Sequence, residues 1–269
     1  MKSYLINLDR SPQRLAHFSE QARRAGLVFD RLPAVDGRGL DAAQRAQAVS
    51  ARFVFQPLNP GEIGIFMSQR AAWQRLLDSG EPMAAVFEDD VVLSEDTGDL
   101  LQRLEAGPWQ ADIVKLETTL RQVVLGPPCG ALDAGHALSP LCSWHGGAAG
   151  YVITQAAARR LLQATWPLAD PVDQVLFNPM SPICASLRLL QLSPALCIQK
   201  NILDRAQVND AVFGTTIDRH ATRGTLLRHG LRTDLRRAWL RQRERMRRWR
   251  LARQPGHRLV SVAFDPTPR

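Results

Sequence analysis

The stretch Met83-Ala-Ala-Val-Phe-Glu-Asp-Asp-Val-Val-Leu93 decides how the chain is read, because three consecutive acids interrupt an apolar run. A short apolar segment with Val and Phe, preceded by Gly80 and Pro82, has the character of a strand buried on both faces, as inside a parallel sheet. Glu88, Asp89 and Asp90 fall at or near its end. Ionised carboxylates are costly to bury unless paired or bound to a cation, so the cluster is expected at the sheet's edge with something positive to hold. In open α/β sheets, ligands bind beyond the carboxyl ends of the strands. Two readings stay open on this stretch alone: a divalent-metal site that grips a phosphate, and the solvated start of a loop.

Towards the N-terminus, residues 2–8 read as a first strand that ends in Asn7-Leu8-Asp9-Arg10. Ser11 can cap a following helix with Pro12 in its first position, and Leu15, Phe18 and Ala22 continue at helical spacing up to Gly26. Residues 27–35 form a second apolar segment that closes on the turn pair Asp36-Gly37. Strand, helix, strand is the order of a parallel βαβ unit. A helix is expected over 41–50, and another over 62–77, where Gly61 and Gly64 imply close packing near its start. That helix leads into the acidic strand. Helix 96–104 and a short strand over 113–117 follow it.

A second informative stretch is Trp144-His145-Gly146-Gly147-Ala148-Ala149-Gly150-Tyr151-Val152-Ile153, whose small residues let a ligand or another backbone approach closely. Thr154 then opens a helix over 155–164. Neither G-x-G-x-x-G nor a G-K-[ST] phosphate loop is present, which disfavours a dinucleotide site and a P-loop. In Asp170-Pro171-Val172-Asp173-Gln174, the proline holds Asp170 extended and makes a rigid turn able to fix a carboxylate. His145 reads as a structural histidine, Lys115 and Glu117 as a partly buried pair, and Arg14 as a helix-surface residue.

At 269 residues and 45% apolar content, the chain can bury a substantial core in one α/β domain with an appendage. No apolar run approaches the roughly 20 residues that cross a bilayer, and the N-terminus turns polar too soon for a signal peptide, so the expected compartment is the cytosol. Cys129, Cys142, Cys184 and Cys197 form no C-x-x-C pair, and reduced thiols are expected.

The charge is uneven. Between Arg223 and Arg258 thirteen arginines face Asp234 and Glu244, a net of +11, which leaves the remaining residues at −3 within a whole-chain charge of +8. A mildly acidic body with one basic arm points to a localised anionic surface, and nucleic acid is not the expected partner. The domain is placed at 1–222, and the extension at 223–269 is expected to be a basic amphipathic helix. Leu231, Leu235, Trp239, Gln242, Met246 and Trp249 make one stripe of that helix. The stripe could pack on the domain, lie on an anionic membrane or bind nucleic acid.

Five motifs in order carry a resemblance. They are Tyr4-Leu-Ile-Asn-Leu-Asp-Arg-Ser11 with Arg14, Ala34-Val-Asp-Gly37, Gly61-Glu-Ile-Gly64, Val86-Phe-Glu-Asp-Asp-Val91 and Gly147-Ala-Ala-Gly-Tyr-Val-Ile153. Together, over about residues 2 to 200, the chain resembles glycosyltransferase family 25, which contains bacterial lipopolysaccharide and lipooligosaccharide glycosyltransferases and the collagen galactosyltransferases. The resemblance implies a GT-A-type, Rossmann-like nucleotide-sugar fold with a mostly parallel central sheet. It implies a UDP-sugar donor, Mn²⁺ or Mg²⁺ held by Glu88 and Asp90, and nucleotide contacts from Asn7, Asp9, Arg10, Asp36, Gly37 and Asp89. Asp173 matches the family's later acidic position and would serve as the base of an inverting transfer. The implied reaction moves a hexose, most readily galactose, to a lipid-linked saccharide in lipopolysaccharide or lipooligosaccharide synthesis, on the cytoplasmic face of the inner membrane with the basic helix against anionic lipid.

Two departures bear on that expectation. Ser68-Gln69 stands where family members usually have Ser-His, and the sequence beyond Gln199 does not match the family's usual ending. They leave open a catalytically inactive saccharide- or nucleotide-binding relative, or a transferase acting on protein-linked glycans.

Overall fold

The computed structural model describes residues 1–203 and 231–264, with the side chains of 231–235 outside the description. The first βαβ unit forms as its sequence order requires. Strand β1 (Lys2–Asn7) leads into helix α1 (Pro12–Arg24) and returns as β2 (Asp30–Pro33), parallel to β1. Gly26, at φ +61°, makes the left-handed exit after α1. Helix α2 (Ala42–Ala48) follows, and α3 (Pro60–Ser79) begins two residues earlier than the apolar spacing suggests. Asn59 sets that start through a reciprocal cap: its side chain accepts from the Glu62 N–H at 3.0 Å, and Glu62 accepts from the Asn59 N–H at 2.8 Å.

Strand β3 (Met83–Glu88) is the apolar half of the acidic stretch and lies between β1, parallel, and β10 (Gly150–Thr154), antiparallel. Its alternate residues feed two cores. Val86 joins Tyr4, Phe66, Trp73 and Tyr151 on one face, and Phe87 joins Leu5, Phe18, Leu100 and Val152 on the other. Burial on both faces explains the lack of polar alternation.

The strand ends at the acids, as its sequence suggests. After Glu88 the chain turns at Asp89 and Asp90 and crosses as β4 (Val91–Leu93) into a second, three-stranded sheet with β12 (Cys197–Gln199) and β6 (Glu117–Thr118). The segment over 113–117 divides in the same way: β5 (Ile113–Lys115) stays in the large sheet, and β6 starts at Glu117. Apolar residues on both sides of each crossing hide it from local sequence. Its consequence is that Glu88, Asp89, Asp90 and Glu117 all lie where the two sheets part.

The other elements are α4 (Thr97–Ala106), β7 (Gln122–Leu125), β8 (Gly130–Ala131), β9 (Ala137–Pro140), α5 (Gln155–Ala164), α6 (Val172–Phe177), α7 (Pro182–Ala185), β11 (Leu189–Ser193) and α8 (Lys200–Leu203). The large sheet has the order β2-β1-β3-β10-β5-β11-β9-β8. Six of its strands run one way, and β10 and β9 run against them, so the sheet is mixed in pairing and mostly parallel in direction.

The described part of the extension is helical as α9 (Leu231–Leu251) and then becomes a strand, β13 (Arg258–Ser261), antiparallel to β7. Val262 is buried in the core, and Thr118 donates its hydroxyl to the Val262 carbonyl at 2.7 Å. The extension placed at 223–269 is therefore more than a helix, because its far end completes the domain. The boundary at 222 lies outside the described residues. Of the fates left open for the stripe, Trp239 and Met246 do not dock on the domain; helix α9 meets it through an arginine-rich face. Arg237 donates to the Phe55 carbonyl at 2.7 Å, Arg247 to Cys142 at 2.5 Å and Arg248 to Gln122 at 2.9 Å. Trp239, Met246 and Trp249 of the stripe remain about half exposed, with Arg243 and Arg253 stacked over the two indoles. The physical reason is that guanidinium groups satisfy the backbone carbonyls there, which an apolar stripe could not.

Candidate active site

Where the two sheets part, a pocket of about 150 Å³ opens, lined by Arg10, Arg14, Asp36, Gly37, Glu88, Asp89, Asp90, Gln199 and Asn201 among others. Register explains the convergence, since Ile6 of β1 pairs with Glu88 of β3 and Asn7 with Pro33 of β2. The residues that follow these strands must meet at one edge. Gly37 is required by close packing: a Cβ there would collide with the Pro60 carbonyl. The loop after β2 is thereby seated on the start of α3.

The three acids are not equivalent. Asp89 is buried and held by Asn7, whose amide donates at 2.6 Å, and by Arg14 at 3.1 Å. Arg14 is thus a buried partner of the acidic turn, which corrects its reading as a helix-surface residue. Asn7 likewise lies beneath the pocket, since its second role is to accept from Arg31 at 2.9 Å. Asp9 is paired with Arg31 at the exposed rim, and Arg10 with Asp36 at the pocket's mouth.

Glu88 and Asp90 have no such cationic partner among the ion pairs of the described residues. Shielding from solvent, then the neighbouring charges of Asp90 and Glu117, drive the Glu88 carboxyl well above its usual range, against the hydrogen bond from Gln69. Shielding also pushes Asp90 up to about 6, opposed by Arg14 and by the long hydrogen bond from Gln199 and reinforced by Asp89. Two carboxyls raised by desolvation and mutual repulsion are a configuration that a divalent cation relieves. The Asn201 side-chain oxygen, also in this pocket, is buried with no hydrogen-bond partner among the described residues. Two carboxylates and a neutral amide oxygen are hard donors suited to Mg²⁺ or Mn²⁺, so the residues fit the group. Among the described residues no cluster of three His, Cys, Asp or Glu side chains is formed, consistent with Asp89 being committed elsewhere.

Gln69 supports Glu88 from behind. It is fully buried and completes a chain in which Trp73 donates to the Tyr151 hydroxyl at 2.8 Å, Tyr151 donates to the Gln69 oxygen at 2.5 Å, and the Gln69 amide donates to Glu88 at 3.1 Å and to the Ala148 carbonyl at 3.2 Å. Its amide therefore orients Glu88 and lies away from the open pocket.

Asp173 lies outside this pocket, in the first turn of α6, and is joined to it by the small-residue turn. The Gly147 N–H donates to Asp173 at 3.3 Å, and the Gly147 carbonyl accepts from Lys115 at 2.6 Å. The Ala149 N–H donates to Glu117 at 3.0 Å, and the Glu88 N–H to the Ala149 carbonyl at 3.0 Å. Gly147 has φ +84°, and a side chain would strike the Glu117 carboxylate, so only glycine serves there. Burial raises the Asp173 carboxyl, while the Gly147 N–H and the Lys115 charge hold it down.

The rigid-turn reading at 170–174 holds for the other acid. Asp170 accepts from the backbone N–H groups of Val54, Phe55 and Gln56 and thereby fixes the loop before α3. His145 is structural: it accepts from the Thr119 N–H and bonds Gln191 at 2.8 Å, and burial lowers it to about 3, so the ring is neutral.

The chain matches the model of glycosyltransferase family 25, described as an LPS biosynthesis protein, over residues 1–176. It is 31% identical over 256 residues to the lacto-N-neotetraose biosynthesis glycosyltransferase LgtB of Neisseria gonorrhoeae, covering 89% of this chain and 85% of the relative. It is 29% identical to LgtE of the same organism, over 88% of this chain and 89% of that one, and 27% identical to the lipooligosaccharide biosynthesis protein lic2B of Haemophilus influenzae, over 75% and 77%. The α/β fold and these relatives define the class as a glycosyltransferase. The chain belongs to glycosyltransferase family 25.

Proposed function

We propose that this chain is an inverting, UDP-sugar-dependent hexosyltransferase of GT-A type, with galactose as the leading donor sugar and a lipid-linked saccharide of lipopolysaccharide or lipooligosaccharide as acceptor. The observation that carries the proposal is the pair Glu88 and Asp90, lacking a cationic partner among the ion pairs of the described residues, beside the unpartnered Asn201 oxygen. These three would hold Mn²⁺ or Mg²⁺, which when bound neutralises charge on a departing nucleoside diphosphate. Arg10, Asp36 and Gly37 line the nucleotide side of the pocket, with Asn7 and Asp9 acting through Asp89 and Arg31. Asp173, with a carboxyl raised by burial, accepts the proton of the acceptor hydroxyl as it attacks. The relatives' names, which speak of lipooligosaccharide and lacto-N-neotetraose biosynthesis, support a saccharide acceptor. Turnover of UDP-galactose or UDP-glucose with Mn²⁺ tests the reading, and failure of both donors removes it.

The inactive-relative reading rested on Gln69, and the hydrogen-bond chain through Tyr151 gives that amide a purely orienting task that requires no titration. Membrane association is proposed through the outward-facing Trp239 and Met246 among arginines, as suits an anionic lipid interface. No helix of the described residues is long and apolar enough to span a membrane. Co-sedimentation with phosphatidylglycerol vesicles, lost at high salt, is the expected result, and absence of binding would remove the membrane partner.

A further inference from the structure

A second and larger cavity, of about 720 Å³, lies between α9 and the domain, within the roughly 300–1,000 Å³ range of small-ligand sites. Its domain wall carries Phe55, Trp144 and Gln174, and its helix wall carries Trp249 and four arginines, with Arg253 just past the helix end. The only acid among its lining residues is Glu244, which is turned to the Trp144 N–H at 3.1 Å. Arg237, Arg241 and Arg245 follow one another at one-turn intervals, an arrangement whose mutual repulsion weakens an isolated helix. Arg237 is engaged by the Phe55 carbonyl, but Arg241 and Arg245 have no hydrogen bond or ion pair among the described residues. The cavity is thus strongly cationic, with aromatic faces on both walls.

It also adjoins the proposed base. Gln174 follows Asp173 directly, and Gly146 separates the two flanks: a Cβ placed on it would lie 3.3 Å from the Trp144 ring and 3.6 Å from the Asp173 carboxylate. A sugar resting against Trp144 could therefore present a hydroxyl to Asp173 while a neighbouring group reached the arginine row.

We propose that this cavity is the acceptor subsite and that it selects a saccharide carrying an anionic substituent, a phosphate or a carboxylate, with Arg241 and Arg245 as its recognition groups. Helix α9 then has two faces with separate tasks, one outward and one forming the wall of the acceptor site. The proposal rests on Asp173 being the base, because that residue orients the site.

The test is ligand-observed NMR and calorimetry on the full chain, with glucose, glucose 6-phosphate, inorganic phosphate and UDP as probes. Glucose 6-phosphate should bind at least about ten-fold more tightly than either glucose or phosphate alone, since charge-assisted and stacking contacts act together. The double variant Arg241→Gln, Arg245→Gln should lose that preference and keep the parent's UDP affinity. Equal binding of the two sugars would overturn the proposal. So would a preference that survives in the variant, or phosphate binding as tight as that of glucose 6-phosphate. A preference abolished by phosphatidylglycerol vesicles, which would mark the arginines as lipid contacts, would also overturn it. Absence of UDP binding to the parent chain would instead strike the nucleotide-sugar reading, and the sugar-phosphate comparison would still be read independently.

Discussion

Replacing Gln69 by Leu removes the centre of the buried chain Trp73–Tyr151–Gln69–Glu88 without changing side-chain size much. The Tyr151 phenol, which burial keeps protonated, would retain its bond from Trp73 and lose its acceptor among the described residues. A buried unsatisfied donor costs about 1–3 kcal/mol, and the lost hydrogen bond to the Glu88 carboxyl about 0.5–1.5 kcal/mol. Some of that sum is offset by the apolar burial of Leu, so a loss of about 2 kcal/mol is expected, equivalent to roughly 4–8 °C in Tm for a chain of this size. Gln69→His should cost about half as much, because a neutral imidazole can accept from Tyr151 and donate to Glu88 but cannot also serve Ala148. The assay is urea unfolding at pH 7.5 in EDTA, so that metal binding does not enter. A loss below about 1 kcal/mol for the Leu variant, or an equal loss for Leu and His, would refute the reasoning.

Further outcomes separate the three acids and the base. Asp89→Asn should lower stability by about 3 kcal/mol, because it removes the charge facing buried Arg14, whereas Asp90→Asn should be neutral or stabilising in EDTA while abolishing metal-dependent UDP binding; both are read by urea melts and calorimetry. Asp173→Asn should remove transfer activity and leave UDP affinity within about two-fold, which separates a base from a nucleotide ligand. For metal-free protein, a folded-state value of about 6 for Asp90 means that the folded chain holds a proton the unfolded chain has released. Stability from this group is therefore present below about pH 4 and is lost as pH rises to about 6. The difference between the parent and Asp90→Asn in thermal melts across pH 4–7 isolates it. Stabilisation by Mn²⁺ should run the other way and grow from pH 5 to pH 7.5, since the ligands must first lose their protons.

Much of this was readable in the sequence where one local pattern has one outcome. The first βαβ unit, the buried strand at Met83 and the turn at Gly146 to Gly150 follow from apolar runs, a proline-led helix start and small residues. The crossings at Asp89 and Leu116 were not readable, because a strand that changes sheets keeps the same apolar composition on both sides. Arg14 was misjudged because its partner lies 75 residues away. Asn201 gave no local signal, since it reaches the pocket only because β12 pairs with β4. Trp239 and Met246 of the α9 stripe face outward, while arginines of the helix bond open carbonyls of the domain, a partnership no local pattern announces.

The central claim is that Glu88 and Asp90 form a metal-dependent nucleotide-sugar site. Its most direct test is the thermal shift of the full chain with UDP-galactose or UDP-glucose, in Mn²⁺ and in EDTA. At a ligand concentration near one hundred times Kd, the account predicts about 2.7 kcal/mol of stabilisation in Mn²⁺ and almost none in EDTA. An equal shift in both conditions, or no shift with either donor, would contradict it.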